Sequence, residues 1–194
     1  MYYLYVINNN KFVSNMILKK NKNLKTAREY YNNIVMLSRN RNFYLDGGVP
    51  DSIDGRFELI VLHVYIFVSR LLKADQEGRN FSQKLIEIMI EDFDSSLREI
   101  GVGDLSVGKK VKYMVSSYYG RVSVYDKNIS DFNGKFVESL KNNLFGTVIP
   151  EAQQIDYILK YILKLNLFLN KIDNKSILEC FDNFSFEKEL YINV

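Results

Sequence analysis

The feature that most constrains the fold is a run of apolar residues near the middle of the chain, FELIVLHVYIFV at positions 57–68. Only Glu58 and His63 interrupt it. A helix built from this run is apolar nearly all round, which is typical of a helix buried at the centre of a domain. Its longest apolar part, Leu59 to Val68, is far shorter than the roughly 20 residues that a bilayer span needs. We therefore predict a central core helix over about 54–73.

The rest of the chain also favours helices. The two prolines, Pro50 and Pro150, each stand just before an acidic residue that can open a helix. No stretch combines the two-residue alternation of a strand with hairpin turn residues. The predicted fold class is all-α: a single-domain bundle of about six helices around the central apolar helix, with a short C-terminal tail.

Apolar spacing and capping residues give the expected helix boundaries. We expect six helices. The first spans 24–38, and the second spans about 51–73 with an N-cap among Asp51–Asp54. The third runs from a cap at Asn80 or Ser82 to Gly101, the fourth follows a glycine-rich connection at 101–108, the fifth runs from Asp131 to Leu144, and the sixth runs from Glu151 to Lys171. Gly101 is predicted at the left-handed position that ends a helix. The predicted division is an N-terminal segment at 1–23, a helical core at 24–144, and a C-terminal helix and tail at 145–194 packed on that core.

Composition limits the classes of function. With 194 residues, 47% of them apolar, the chain suits one folded domain. The net charge of +3 does not by itself indicate a nucleic-acid binder, and we expect no DNA partner. Cys180 is the single cysteine, which fits a reducing compartment. The start, MYYLYVINNN, has neither a secretory nor a transit-peptide pattern. We expect a soluble cytoplasmic protein, either free or peripheral to a membrane.

One motif imitates a nucleotide-binding loop. The segment from Gly103 to Lys110 matches G-x-x-x-x-G-K, but Lys110 stands where a P-loop has Ser or Thr for Mg²⁺. The segment also follows a predicted helix instead of a buried strand. A tight turn between two helices is therefore the better interpretation.

A second candidate site is a polar stripe on the central helix. Arg56, His63 and Arg70 are spaced by seven residues, so they lie close to one line along it. The stripe is suited to a carboxylate or carbonyl group of a partner. The alternative is a polar seam inside the fold, satisfied by the acidic residues of the following helix: Glu87, Glu91, Asp92 and Asp94.

The sequence gives little support for a metal site or a catalytic site. Glu87 and Glu91 have the one-turn spacing of a di-iron bundle, but that site also needs two histidines and His63 is the only one. Cys180 has no histidine near it in sequence, so an incidental or structural thiol is the default. We predict no metal, no cofactor and no enzymatic activity.

Basic residues cluster around the glycine-rich connection. Lys109, Lys110, Lys112 and Arg121 follow it, and Arg98 precedes it. Such a cluster suits ribosomal RNA, anionic lipid headgroups or an acidic protein, and an ordinary solvated helix face is the alternative. The candidate partner-binding residues are Arg56, His63, Arg70, Arg98, Asp104, Lys109, Lys110, Lys112 and Arg121.

Two long strings within residues 31–126 carry a specific resemblance. They are VMLSRNRNFYLDGGVPDSIDGRFELIVLHVYIFVSRL, which starts at Val35, and EDFDSSLREIGVGDLSVGKKVKYMVSSYYGRVSVYD, which starts at Glu91. Both resemble the ubiquinol–cytochrome c chaperone family in its bacterial form. The matching positions include Gly48, Val49, Pro50, Asp51, Asp54, Gly55, Arg56, Phe57, Leu62, His63, Asp92, Asp94, Leu97, Arg98, Glu99, Gly101, Val102, Gly103, Asp104, Val107, Lys109, Met114, Tyr119, Gly120, Arg121, Tyr125 and Asp126.

The resemblance implies a helical, non-catalytic assembly factor for the cytochrome bc1 complex that acts at the cytoplasmic face of the inner membrane. Its implied partners are newly made cytochrome b or another bc1 subunit, the ribosome and a small helical partner subunit. Two other hypotheses remain open at the level of the sequence. One is a ribosome- or RNA-associated helical factor, and the other is a small helical enzyme that binds a nucleotide at the Gly103–Lys110 segment.

Overall fold

The central helix has the place that its apolar sequence predicts. In this computed structural model, which describes residues 23–129, 134–146 and 148–179, it spans Ile53–Leu72 and every residue from Glu58 to Val68 is buried. Its N-cap is Ser52, whose hydroxyl accepts a hydrogen bond from the Gly55 amide at 3.1 Å. The predicted cap residues Asp51 and Asp54 lie on either side of Ser52, and neither of their carboxylates accepts the bond from Gly55.

Six long helices and two short ones make up the described residues, which contain no strand, so the all-α prediction is confirmed. In chain order they are α1 (23–38), α2 (Asn42–Leu45), α3 (Ile53–Leu72), α4 (Gln76–Glu99), α5 (Asp104–Asn128), α6 (Gly134–Leu144), α7 (Ala152–Lys171) and α8 (Ser176–Glu179).

Contacts between side chains define the arrangement around α3. Helix α4 returns antiparallel to α3, which brings Phe93 to 5.2 Å from Phe57 between ring centroids. Helix α7 runs parallel to α3, because His63 bonds Tyr161 and Arg70 bonds the Leu169 carbonyl seven and eight residues further along the two helices. Helix α6 packs against α5 and α3. The core therefore forms around α3.

The turn between α4 and α5 confirms the predicted role of Gly101. This residue has a φ of +87°, a conformation that is costly for any residue with a Cβ. Its amide donates to the Arg98 carbonyl, and the Val102 amide donates to the Leu97 carbonyl, both at 2.9 Å. This pair of bonds is the Schellman arrangement, which satisfies the last carbonyls of α4.

Two predicted helix starts were wrong. Helix α4 begins at Gln76, before the proposed caps at Asn80 and Ser82, because Asp75 accepts a bond from the Gly78 amide at 3.0 Å. A Cβ at Gly78 would lie 2.7 Å from the Leu71 carbonyl, so glycine permits this close approach of α4 to the end of α3. Helix α5 begins at Asp104, so more than half of the predicted glycine-rich connection is helical.

Smaller differences concern loops and ends. The connection between α1 and α3 contains the single turn α2, which buries Phe43. Helix α7 starts as expected after Glu151, which forms a capping box with Gln154. The proposed helix start at Asp131 and the thiol of Cys180 lie outside the described residues.

Candidate functional site

The histidine of the polar stripe lies inside the core. His63 is fully buried, and its Nδ1 donates to the Leu59 carbonyl at 2.7 Å, since a carbonyl can only accept. Its Nε2 then accepts from the Tyr161 hydroxyl at 2.7 Å. Burial lowers the pKa of His63 to about 4, so the ring is neutral at physiological pH. Its side chain links α3 to α7 and is not accessible to a partner in this structure.

The two arginines of the stripe have different environments. Arg70 is half-buried and donates to the Leu169 and Ile172 carbonyls at 3.0 and 2.5 Å, at the end of α7 where carbonyls lack helical partners. Arg56 is exposed and pairs with Asp51 at 2.6 Å. The structure therefore divides the stripe into a core histidine, a helix-capping arginine and a surface ion pair.

Contrary to the alternative interpretation, the acidic residues of α4 do not bond the polar stripe of α3. Each has another partner on α1 or α4: Glu87 bonds Lys84, Glu91 bonds Arg28, Asp92 accepts from Tyr31, and Asp94 bonds Arg98. These acids face α1 or solvent, whereas His63 and Arg70 of the stripe contact α7. Over the described residues no group of His, Cys, Asp and Glu side chains is arranged to hold a metal ion.

Arg121, one of the candidate residues, is engaged inside the fold. Its guanidinium makes a two-point ion pair with Glu58 of α3, donates to the Ser117 carbonyl at 3.0 Å and lies 5.8 Å above the Phe57 ring. Sequence reasoning missed Glu58, although a lone carboxylate in an otherwise apolar helix is a signal that it has a buried partner.

The turn between α4 and α5 extends away from this core. Arg121 lies against Glu58, only about 8 Å from the start of α3, whereas Asp104 lies roughly 25 Å further back along α5 at 1.5 Å per residue. Helix α6 is too short to cover α5, with 11 residues against 25. From Asp94 to Ser117 only Val107 is buried. We call this segment the hairpin.

The hairpin carries most of the predicted basic cluster. Lys109, Lys110 and Lys112 are exposed, and none makes an ion pair with another described residue. Arg98 differs, because it bonds both Asp94 and Asp104 and so ties the end of α4 to the start of α5. Three lysines of the predicted cluster are therefore available to a partner.

Exposed apolar side chains accompany these lysines, and sequence reasoning did not identify them. Ile100 and Leu105 flank the turn, and Leu105 is fully exposed. Tyr113 and Tyr119 lie further along α5, with 74% and 53% of their surface exposed. On the inner side of this helix Tyr118 is buried, while Val111, Met114, Val115 and Val122 are half-buried.

A groove of about 400 Å³ lies beside this surface, between α5 and α6. Ser117, Gly120 and Val124 form one wall, and Lys135 and Glu138 lie on the other.

The Gly103–Lys110 segment forms the start of α5, directly after the turn that ends α4. It therefore lacks the preceding strand that a P-loop requires.

The sequence profile of the family described as "Ubiquinol-cytochrome C chaperone" matches residues 45–180, more than half of the chain. This chain belongs to the ubiquinol–cytochrome C chaperone family. The predicted resemblance is confirmed, and the match also reaches beyond the two strings that carry it, through α6 and α7.

Similar proteins agree with the membership in this chaperone family. Ubiquinol-cytochrome c reductase complex assembly factor 1 of Mus musculus is 21% identical over 152 residues, 78% of this chain and 52% of that protein. The Homo sapiens protein of the same name is 20% identical over 78% of this chain and 51% of its own length. The chain thus spans about half the length of these two relatives.

A solved structure shows the same fold. The crystal structure of the Cbp3 homolog from Brucella abortus superimposes with a TM-score of 0.74 at 25% identity, covering 86% of this chain and 92% of that one. As to membranes, none of the helices in the described ranges has the length and hydropathy to span a bilayer.

Proposed function

We propose that this chain is an assembly chaperone for the ubiquinol–cytochrome c reductase (bc1) complex. It acts by binding newly made cytochrome b at the cytoplasmic face of the inner membrane, and it catalyses no reaction. Membership in the chaperone family and the assembly role named for the mouse and human relatives support this proposal. The hairpin exposes both lysines and apolar side chains, and this combination supports a binding role for its surface.

The observation that carries the proposal is the outer face of α5. Among the described side chains of this 25-residue helix only Val107, Tyr118 and Tyr125 are buried, which leaves a large part of its surface exposed to solvent. Exposed aromatic side chains supply much of the binding energy of protein interfaces, because a tyrosine buries a large area with few rotatable bonds. Tyr113 and Tyr119 are therefore the proposed client contacts.

Of the residues in the basic cluster and the polar stripe, the proposal keeps those that are exposed. Lys109, Lys110 and Lys112 lie within about one turn of Tyr113 along α5 and have no ion pair among the described residues. Arg98 and Asp104 hold the turn that positions α5. The side chains of Arg121, His63 and Arg70 are bonded within the fold, so we assign them to its stability. Arg56 remains as an exposed residue at the start of α3, where it pairs with Asp51.

A deletion strain of the source cell tests the assembly role. Loss of the gene is expected to lower the amount of assembled bc1 complex and of cytochrome b, and the intact gene is expected to restore both. Unchanged levels of the complex in the deletion strain would contradict the proposal.

The client surface has its own test in the same strain. We expect that Tyr113→Ser with Tyr119→Ser restores the complex poorly and retains less cytochrome b when the tagged chain is purified from membranes. The matched control is Leu163→Ser with Leu167→Ser, which removes two comparably exposed apolar side chains from α7. If both double variants restore the complex equally, then the outer face of α5 is not the client surface.

A further inference from the structure

The tip of the hairpin exposes aliphatic side chains that contact little of the protein. Ile100, the residue directly after α4, has 59% of its surface exposed, and Leu105 in the first turn of α5 is fully exposed. Val102 lies between them in the turn and is half-buried. Isolated apolar side chains are common on protein surfaces, but here they concentrate at a single protruding turn.

Lysines continue the same surface along α5. Lys109 and Lys112 are four and seven residues after Leu105, so they share its face of the helix, and Lys110 lies about 100° round the helix from Lys109. Three lysines elsewhere in the described ranges pair with an acid on their own helix: Lys25 with Glu29, Lys84 with Glu87 and Lys160 with Asp156. The lysines of the hairpin have no such pair among the described residues.

The acidic residues of the hairpin lie close to its turn, and a single arginine offsets part of their charge. Asp94 and Asp104 both bond Arg98 on the α4 side of the turn, and Glu99 is the remaining carboxylate. The hairpin thus has four basic and three acidic side chains, a net charge of +1, and its three unpaired lysines all lie on the α5 side, behind the apolar tip.

We propose that the hairpin tip docks on a bilayer that contains anionic lipids. Ile100 and Leu105 enter the boundary between headgroups and acyl chains, and Lys109, Lys110 and Lys112 contact the headgroup phosphates. Apolar side chains next to basic ones are what an interfacial contact requires, since each contributes to a different part of the binding energy. An RNA surface would use the lysines but leaves the exposed Ile100 and Leu105 unexplained. The proposal requires no particular client, but it would place Tyr113 and Tyr119 close to the membrane.

A tryptophan reporter tests insertion directly, because the chain contains no Trp. The full chain with Leu105→Trp is mixed with vesicles of phosphatidylcholine alone, or of equal parts phosphatidylcholine and phosphatidylglycerol. We expect a blue shift of the emission only with the mixed vesicles, and quenching by lipids brominated in the acyl chain. The matched control is Leu163→Trp on the exposed face of α7, which is expected to show neither change.

Charge variants test the contribution of the lysines. We expect Lys109→Gln, Lys110→Gln and Lys112→Gln together to weaken partitioning onto the mixed vesicles on the order of 100-fold. The control triple Lys141→Gln, Lys171→Gln and Lys175→Gln removes the same charge from exposed positions on α6 and at or after the end of α7, and is expected to weaken it only a few-fold. Binding should also fall as salt rises.

Three results would overturn the membrane proposal. The first is no shift of the Leu105→Trp emission, or an equal shift for Leu163→Trp. The second is an equal loss of binding in the two lysine triples. The third is binding of ribosomes, lost in the hairpin triple, by a chain that does not bind vesicles. Because the assay contains neither client nor bc1 complex, its failure leaves the assembly role to be judged by the deletion strain.

Discussion

Glu58 of α3 and Arg121 of α5, 63 residues apart in sequence, form a two-point ion pair beneath the surface of the bundle. The Glu58 side chain is only 6% exposed and that of Arg121 19%. Burial raises the pKa of Glu58, and the bonds from Arg121 oppose this increase. The pair anchors the second half of α5 to the central helix, so it sets the point from which the hairpin extends.

Removal of the arginine alone is expected to be costly. Arg121→Met leaves the buried carboxylate of Glu58 without its partner, which should lower the free energy of unfolding by roughly 3 kcal/mol. The double variant Glu58→Gln with Arg121→Met should lose less than this single variant, since no charge remains buried. Urea unfolding followed by circular dichroism measures both. A double variant that is less stable than Arg121→Met would contradict this account.

The single histidine predicts a pH dependence. The pKa of His63 is about 4 in the folded chain, against an ordinary value of 6.5 for a solvated histidine, so between these values the unfolded chain binds more protons. The free energy of unfolding should therefore fall by up to about 3 kcal/mol as the pH falls from 6.5 to 4. The raised pKa of Glu58 acts in the opposite sense, because its contribution is lost as the pH rises.

The comparison of the intact chain with His63→Gln isolates this contribution. The variant keeps groups that can bond Leu59 and Tyr161 but has no ionisable ring, so its stability should depend less on pH between 6.5 and 4. An identical pH profile for the two proteins would show that His63 is not the group responsible.

Two arginines on one stripe are expected to differ in importance. Arg70→Met removes the donors to the last carbonyls of α7 and should lower the free energy of unfolding by about 2 kcal/mol. Arg56→Met breaks only an exposed pair with Asp51, which contributes little in water. Thermal unfolding of the two variants side by side checks this order. Equal losses would mean that the bonds to α7 are not what Arg70 contributes.

Two glycines near the turn predict effects of opposite sign. Gly101→Ala forces a side chain into a left-handed conformation and should destabilise the chain by about 1 kcal/mol. Gly108→Ala lies within α5, where an added Cβ meets no atom, and should stabilise the chain by up to about 1 kcal/mol. Chemical denaturation distinguishes the two variants, and destabilisation by Gly108→Ala would show that this position is more crowded than the structure indicates.

Local signals explain which parts of the fold could be predicted. The apolar run at 57–68 needs no knowledge of its neighbours to indicate a buried helix, and Gly101 marks a helix end by its own conformational freedom. The start of α4 could not be predicted in this way. Gly78 disfavours a helix by itself, and only its packing against Leu71 makes it suitable there.

The candidate site shows the same division. The sequence by itself determined that the chain is helical, that α3 is its centre and that three lysines and a glycine turn lie together, because these features depend on residue type and short spacing. Tertiary structure alone decided that His63, Arg70 and Arg121 are bonded inside the bundle while Leu105 and Tyr113 face outwards. Exposure depends on which helices cover a residue, and that follows from contacts between segments far apart in sequence. Helix α6 is too short to cover the first half of α5, and this difference in length exposes the hairpin.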